Sequence, residues 1–422
     1  MDNLNNKRLE EHLVSITPSK RQMAHQQLEF YGFFHYTINT YTGKEWGDGT
    51  ESPSLFFPEQ FNPAQWVQAI KSAGMKGAIL TCKHHDGFCL WPSRYTGHTI
   101  AASPYKNGAG DIVREVSEAC RREGLKFGVY LSPWDRNHPS YGQGKAYDDY
   151  FVNQLTELLT QYGEIFCVWL DGACGEGKNG KIQQYDWRRY YDTIRHFRPD
   201  ACISVTGPDV RWCGNEAADT RKEEWSVVPA RMFDPMKIQE NSQTSDTDEF
   251  RNRKISSSDQ DLGSREALKG EKDLIWYPAE VDVSIRPGWF YHPEEDEQVR
   301  TPEELLEIYD RSVGGNALLL LNVPPMPNGL LNQRDVTVLD ELGKRIRARQ
   351  AFNFALEAFK EEGITKEGCY YLRFTWEKKV TLSFLVLQEN IGFSQRVEEF
   401  QIVNKDTGQI LAAGTVIGYR KH

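Results

Sequence analysis

The stretch NPAQWVQAIKSAGMKGAILT, residues 62–81, divides into a helix followed by a strand. Asn62 is a natural N-cap and Pro63 suits the first helical position, where its missing N–H goes unused. Trp66, Val67 and Ile70 share one face at helical spacing, Gly74 closes the helix, and MKGAILT reads as a short buried strand. The unit then recurs. DIVREVSEACRREG leads into LKFGVYLSP, YDDYFVNQLTELLTQYG into EIFCVWLDG, and WRRYYDTIRHFRP into ACISVTGP. TPEELLEIYDRSVGG leads into NALLLLNVPP, and VTVLDELGKRIRAR closes the series. Near-continuous apolar strands alternating with amphipathic helices predict a parallel sheet buried on both faces, here an α/β fold of the (β/α)8-like, TIM-type barrel kind. A doubly wound open sheet is the second choice, and no GxGxxG follows the first strand to support it.

Two regions break this rhythm. Residues 231–272 are polar and aperiodic over more chain than an ordinary loop uses, which predicts an insert or a loop lining a site. After about residue 366, GCYYLRFTW, KKVTLSFLVL and VEEFQIVNKDTGQILAAGTVIGY read as alternating strands, with NKDTG as a hairpin turn. The chain is therefore divided into a barrel over residues 1–350 and a C-terminal β module over 351–422. So few strands leave edges open, so the module is expected to dock on the barrel or to be incomplete.

Acidic residues number 60 against 50 basic ones, and no lysine or arginine run stands out, which argues against nucleic acid or an anionic membrane as partner. A neutral, small ligand fits better. The 11 tryptophans and 19 tyrosines supply flat faces of the kind that pack on sugar rings, although most of them must be core. Eight cysteines show neither a CxxC pair nor metal-ligand spacing, so neither metal nor cofactor is expected. The N-terminus, MDNLNNKRLEEHLVS, has no apolar signal-like core, and no segment approaches membrane-spanning length. A soluble chain is expected. Its compartment, cytoplasmic or exported with a leader removed, and its oligomeric state are left open.

In a barrel the reactive groups gather where the strands end. Those ends are polar here: His35, Glu45 and Trp46 near the start; His84, His85, Asp86 and Trp91 after AILT; Tyr130, Trp134, Asp135 and His138 around the next strand; and Asp171 after CVWL. Glu216 follows ISVTGPDVRW, and Glu280, Arg286 and Trp289 follow the long polar stretch. Taken singly, Asp171 before a glycine is at least as readily a turn-former, Glu216 a solvated carboxylate, and each tryptophan a core residue. Adjacent residues in an extended chain point to opposite faces, so His84 and His85 are expected to place at most one ring in any one metal site. Convergence of carboxylates, histidines and aromatics on one pocket points to glycoside hydrolysis, with Asp171 as the firmly held nucleophile and Glu216, on a loop, as acid/base.

The segments FFHYTINTYTGKEWGDG, TCKHHDGFCLWPS, FGVYLSPWDRNHPSYG, VWLDGACG, RWCGNEAADTRKEEWSVVP and SIRPGWFYHPEEDE, in this order, resemble the α-L-fucosidases of glycoside hydrolase family 29. The resemblance implies a retaining enzyme with a barrel followed by a β-sandwich, of which the tail here resembles the first part. It also implies Asp171 as nucleophile and, through the WxGNE pattern of members acting on α-1,3/1,4-linked fucose, Glu216 as acid/base. Fucose contacts map to His35, Glu45, Trp46, His84, His85 and Tyr130, with Trp289 against the sugar's methyl group. The implied substrates are fucosylated, Lewis-type branched oligosaccharides or glycoconjugates, and the loop at 231–272 is a candidate wall for the second branch. Two other readings compete: a non-catalytic fucose-binding protein on the same fold, and a metal-dependent hydrolase using His84, His85 and Asp86.

Overall fold

Eight parallel strands curl into a nearly closed barrel in this computed structural model, which describes residues 2–240, 247, 249, 253 and 260–422. In chain order they are β1 (Phe30–Phe34), β2 (Gly77–Lys83), β3 (Lys126–Leu131), β4 (Cys167–Leu170), β5 (Cys202–Val205) and β6 (Arg211–Trp212). After the antiparallel ribbon of β7 (Val227–Pro229) and β8 (Leu274–Trp276) come β9 (Ala279–Ser284) and β10 (Leu318–Asn322). Their spatial order is β5-β4-β3-β2-β1-β10-β9-β6. Helices Pro63–Ser72, Ile112–Glu123, Lys145–Gln161 and Trp187–Phe197 fill the first four connections, Pro302–Ser312 precedes β10, and Gln333–Gln350 follows it. Side-chain caps fix their starts: Asn62 accepts from Gln65 N, Asp111 from Arg114 N, and Asp186 from Arg189 N, while Thr301 and Glu304 form a capping box.

The period of two along each strand sorts side chains between two buried layers. Tyr31, Phe33, Ile79, Tyr130, Cys167, Trp169, Leu318 and Leu320 fill the barrel's interior, while Phe30, Phe34, Leu80, Val129, Val168, Leu319 and Leu321 face the helices. Both faces being covered, these strands carry the unbroken apolar runs seen in the sequence. Among the described residues, no helix is long and apolar enough to cross a membrane.

The closing seam between β5 and β6 has no helix. The chain turns back within residues 206–210, and the two strands meet through the Ser204–Val210 bridge and a 3.0 Å hydrogen bond from Val205 N to Val210 O. Val205 takes φ +68°, a conformation costly for a β-branched residue. Asp209, almost fully buried, pins the turn: it accepts from Ile203 N at 2.8 Å and Arg21 Nε at 2.8 Å, and pairs with Arg195. Thr206 N donates to Leu170 O and the Tyr277 hydroxyl to Gly207 O, tying the same turn to β4 and to the ribbon.

Beyond Gln350 the β segments pair only as two hairpins, β11 (Phe359–Ile364) with β12 (Tyr370–Thr375) and β13 (Phe400–Val403) with β14 (Ile410–Gly414). The turn of the second is the NKDTG stretch expected from sequence. KKVTLSFLVL is no strand; it makes a single bridge, Leu387 to Lys421. Among the described residues, the outer edges of both hairpins carry no third strand, so the segment's apolar composition is not used in a ladder. The last residues do dock, at the N-terminal end of the barrel. Arg420 pairs with Glu29 just before β1, Tyr419 N donates to Asn316, and His422 N donates to Gly314 O just before β10.

If Asp209 holds the seam, Asp209→Ala should cost about 2–4 kcal/mol, since it strands two guanidiniums and a buried N–H together. Arg21→Ala, which removes one partly exposed partner, should cost nearer ~1 kcal/mol. Urea unfolding of the two variants separates these outcomes; equal effects would mean that Asp209 is not the pin.

Candidate active site

The strand ends expected to converge do so. His35, Glu45, Trp46, His84, His85, Tyr130, Asp171, Glu216 and Trp289 all line one cavity at the C-terminal mouth of the barrel, together with Phe33, Trp169, Trp212 and Asp282. Asp171, one residue past β4, is held at both oxygens. The Tyr130 hydroxyl donates to Oδ2 at 2.8 Å and Ala173 N to Oδ1 at 2.8 Å, while His85 Nε2 stands 3.9 Å from Oδ2. Its side chain stays 24% exposed, so the carboxylate is fixed in direction yet open to a ligand. Tyr130 is itself stacked on Trp169, with ring centroids 5.3 Å apart.

Hydrogen-bond bookkeeping assigns the histidine tautomers. Ser132 gives its hydroxyl proton to Trp134 O at 2.8 Å, so at the 2.7 Å contact His85 Nδ1 must be the donor, which leaves Nε2 as an acceptor beside Asp171. The Asn322 amide nitrogen donates to Trp289 O at 2.8 Å and Ser284 Oγ at 2.9 Å, so its oxygen accepts from His35 Nδ1 and again leaves Nε2 as the acceptor. For His84 the polarity is reversed: Asn39 Nδ2 reaches its Nδ1 over a long 3.5 Å contact, making Nε2 the protonated nitrogen. Burial pushes His35 and His85 down to about 4 and His84 well below the usual range, so all three rings are neutral around neutrality. Neutral donors and acceptors of fixed polarity suit the hydroxyl groups of an uncharged ligand.

Both His84 and His85 face the cavity, with centroids 4.0 Å apart, contrary to the expectation from alternation. β2 has already ended at Lys83, and in the turn that follows the period of two no longer holds. Asp86 turns away, accepting from Phe88 N at 2.7 Å. Among the described residues, no group of three or more His, Cys, Asp or Glu side chains is arranged to hold a metal ion.

Glu45 is a clamp between two loops. Its oxygens accept from Trp289 N at 2.9 Å, Phe290 N at 3.1 Å and His292 Nε2 at 2.6 Å, and that last contact raises the His292 imidazole above its ordinary range. Trp289 thereby stands where its indole N–H donates to Glu216 Oε2 at 3.1 Å. Trp46 packs edge-on against His85 and Trp134.

Other candidates from the strand ends serve the scaffold. Asp135 forms a fully buried pair with Lys83 at 2.9 Å, Arg286 binds Asp335 and Asp296, and Trp91 gives its N–H to Glu157. Glu280 lies inside the barrel below the cavity, accepting from Trp169 Nε1 at 2.7 Å and from the Tyr31 hydroxyl. Asp282, Trp212 and Trp169 were not singled out from sequence. AEVDVS alternates polar and apolar like a half-exposed strand, but its polar side, Glu280, Asp282 and Ser284, faces the barrel's interior and not water. Of the polar stretch 231–272, Ile238 lines the cavity, while residues 241–246, 248, 250–252 and 254–259 lie outside the described residues.

A parallel barrel whose strand-end cavity gathers separate carboxylates, neutral histidines and tryptophans has the form of a glycoside hydrolase. Comparison with known proteins narrows this. Residues 17–350 match the family Alpha-L-fucosidase. "Alpha-L-fucosidase 1" of Arabidopsis thaliana is 37% identical over 437 residues, covering 96% of this chain and 81% of that protein. A crystal structure of a putative α-L-fucosidase from Bacteroides ovatus superimposes with TM-score 0.80 at 43% identity, over 96% of this chain and 68% of the other. A glycoside hydrolase family 29 fucosidase from Ruminococcus gnavus, solved in complex with fucose, gives TM-score 0.76 at 30% identity, over 96% and 88% of the two chains. The chain belongs to the α-L-fucosidases of glycoside hydrolase family 29, and it is an enzyme.

Burial raises Glu280 from 4.5 to about 7. A carboxyl whose folded value lies above its unfolded one binds an extra proton in the native state, so its contribution falls as pH rises from about 4.5 to about 7. Glu280→Gln should flatten the pH dependence of stability across that window, measured as thermal midpoints from pH 4 to 8. An unchanged slope would show that Glu280 ionises as freely in the fold as out of it.

Proposed function

We propose that the protein is a retaining exo-α-L-fucosidase acting on terminal α-1,3/1,4-linked fucose of branched, Lewis-type glycans, with Asp171 as nucleophile and Glu216 as acid/base. The observation that carries the reading is that both carboxylates line the same cavity in a chain of this family, one gripped at both oxygens and the other on a loop held by Trp289. In the first step an Asp171 oxygen attacks the anomeric carbon. The glycosidic C–O bond breaks, and Glu216 gives its proton to the departing oxygen. In the second, Glu216 takes a proton from water, whose oxygen attacks the same carbon and breaks the ester to Asp171, releasing fucose with its configuration kept. His35, His84, His85 and Tyr130 would read the sugar's hydroxyls, Glu45 and Trp46 its rim, and Trp289 its methyl group.

The preference for branched substrates is supported by the WCGNE segment and by Ile238, through which the polar stretch after β7 reaches the cavity. The division at residue 350 belongs to the same proposal: the last barrel helix and the family match both end there, and the strands beyond form the C-terminal module.

Asp171→Asn should abolish fucose release from a Lewis-type trisaccharide while leaving the thermal midpoint nearly unchanged. Glu216→Ala should slow that release by about 10²–10⁴-fold, with a far smaller loss on α-L-fucosyl fluoride, whose leaving group needs no proton. Proton NMR of the first-formed product should show the α-anomer; β-fucose would overturn the double displacement. Hydrolysis of 2′-fucosyllactose in preference to the trisaccharide would keep the chemistry and overturn the linkage.

A further inference from the structure

Asn322 is the last residue of β10, fully buried, and has no task in the two steps above. β10 runs between β1 and β9, and in register Asn322 stands next to Phe33 on one side and Ser284 on the other. Its amide therefore lies between two chains that leave the sheet there, one carrying His35 and the other Trp289. Both ends of the amide are engaged. Oδ1 accepts from His35 N at 3.2 Å and from His35 Nδ1 at 2.9 Å, while Nδ2 donates to Trp289 O at 2.8 Å and to Ser284 Oγ at 2.9 Å. Ser284 in turn gives its proton to Gly288 O at 2.7 Å.

Two groups that cannot change roles fix which way this amide points. A backbone N–H only donates, so the atom facing His35 N is the oxygen; a backbone carbonyl only accepts, so the atom facing Trp289 O is the nitrogen. An oxygen in front of His35 Nδ1 requires the proton there, and a neutral ring then has a bare Nε2. Burial keeps the ring neutral around neutrality. We propose that Asn322 is a positioning residue for sugar recognition: it makes His35 a hydrogen-bond acceptor in the cavity, so that the hydroxyl His35 reads must be the donor. A fluorine in place of that hydroxyl has the size to fit but no proton to give, and it leaves the buried nitrogen unpaired. The inference rests on the placing of fucose against His35 in the reading above and adds the group that gives this contact its direction.

Nitrogen NMR of the histidine-labelled enzyme, with His35→Gln to assign the signal, reads the tautomer. Titrating the same samples with L-fucose and with analogues in which one ring hydroxyl is replaced by fluorine reads the affinities. In the wild type the His35 proton should sit on Nδ1, and at least one analogue should bind about tenfold or more weakly than fucose. Asn322→Leu removes the acceptor, so the proton should move to Nε2, where solvent or ligand can accept it. The penalty for one analogue should then shrink to about threefold or less, while a penalty owed to His85 persists. Asn322→Asp, read at pH 8, keeps an oxygen in front of Nδ1 and should keep both the tautomer and the penalty, a rescue that a merely structural role would not give. Asn322→Ala replaces the leucine variant if that one does not fold. A proton on Nε2 in the wild type, or the same penalties in wild type and leucine variant, would overturn the proposal. Fucose that fails to bind the wild type removes the sugar reading and the proposal with it, whereas fucose that binds beside an Nε2 proton removes the proposal alone.

Discussion

The β5–β6 seam is the constraint on which the site depends. In the barrel's other described connections a helix packs outside the sheet or a long excursion intervenes; here the strands must meet across a turn of a few residues. That turn forces Val205 into a left-handed conformation, at a cost of about 1–3 kcal/mol for such a residue. Asp209, with its backbone and arginine partners, offsets this. The consequence reaches the cavity directly. Val205 lines it, β6 holds Trp212, and the chain after β6 carries Glu216. Were the seam to open, β6 would lose one neighbour and the loop that carries Glu216 its foundation, while Asp171, one residue past β4, would keep its contacts to Tyr130 and Ala173 N.

Charge in the cavity is graded by depth. Glu280 and Asp282 lie deepest and resist ionisation, the three histidines are kept neutral by the same burial, and Asp171 and Glu216 sit nearer the mouth with N–H or O–H donors aimed at them. A sugar carries no charge, so it is best held by groups that have settled hydrogen-bond polarity and no net charge to desolvate.

Much of this was legible in the sequence because a barrel strand buried on both faces is written as an unbroken apolar run, and most of the barrel helices open on a side-chain cap. The site was legible for a related reason: in a parallel barrel all strand ends point the same way, so polar residues after each run share one mouth. What escaped has a physical cause in each case. Asp282 alternates with valines as a surface residue would, and only closure of the barrel turns its side inward. The pairing of His84 with His85 follows a turn and not the strand's period. KKVTLSFLVL has a strand's composition without a neighbour to pair with, and Glu216 stood out only as a loop carboxylate after a strand until the resemblance to family 29 matched it to the WxGNE pattern.

The clamp at Glu45 links two loops that are far apart in the chain and that follow β1 and β9, strands separated in the barrel by β10 alone. One carboxylate holds two backbone amides and an imidazole of the segment 289–292, so neither loop has an independent shape. For protein engineering, the two behave as one piece. A loop graft meant to reshape the cavity wall at position 289 will carry its new geometry only if the partner loop, with its glutamate, is transplanted along with it.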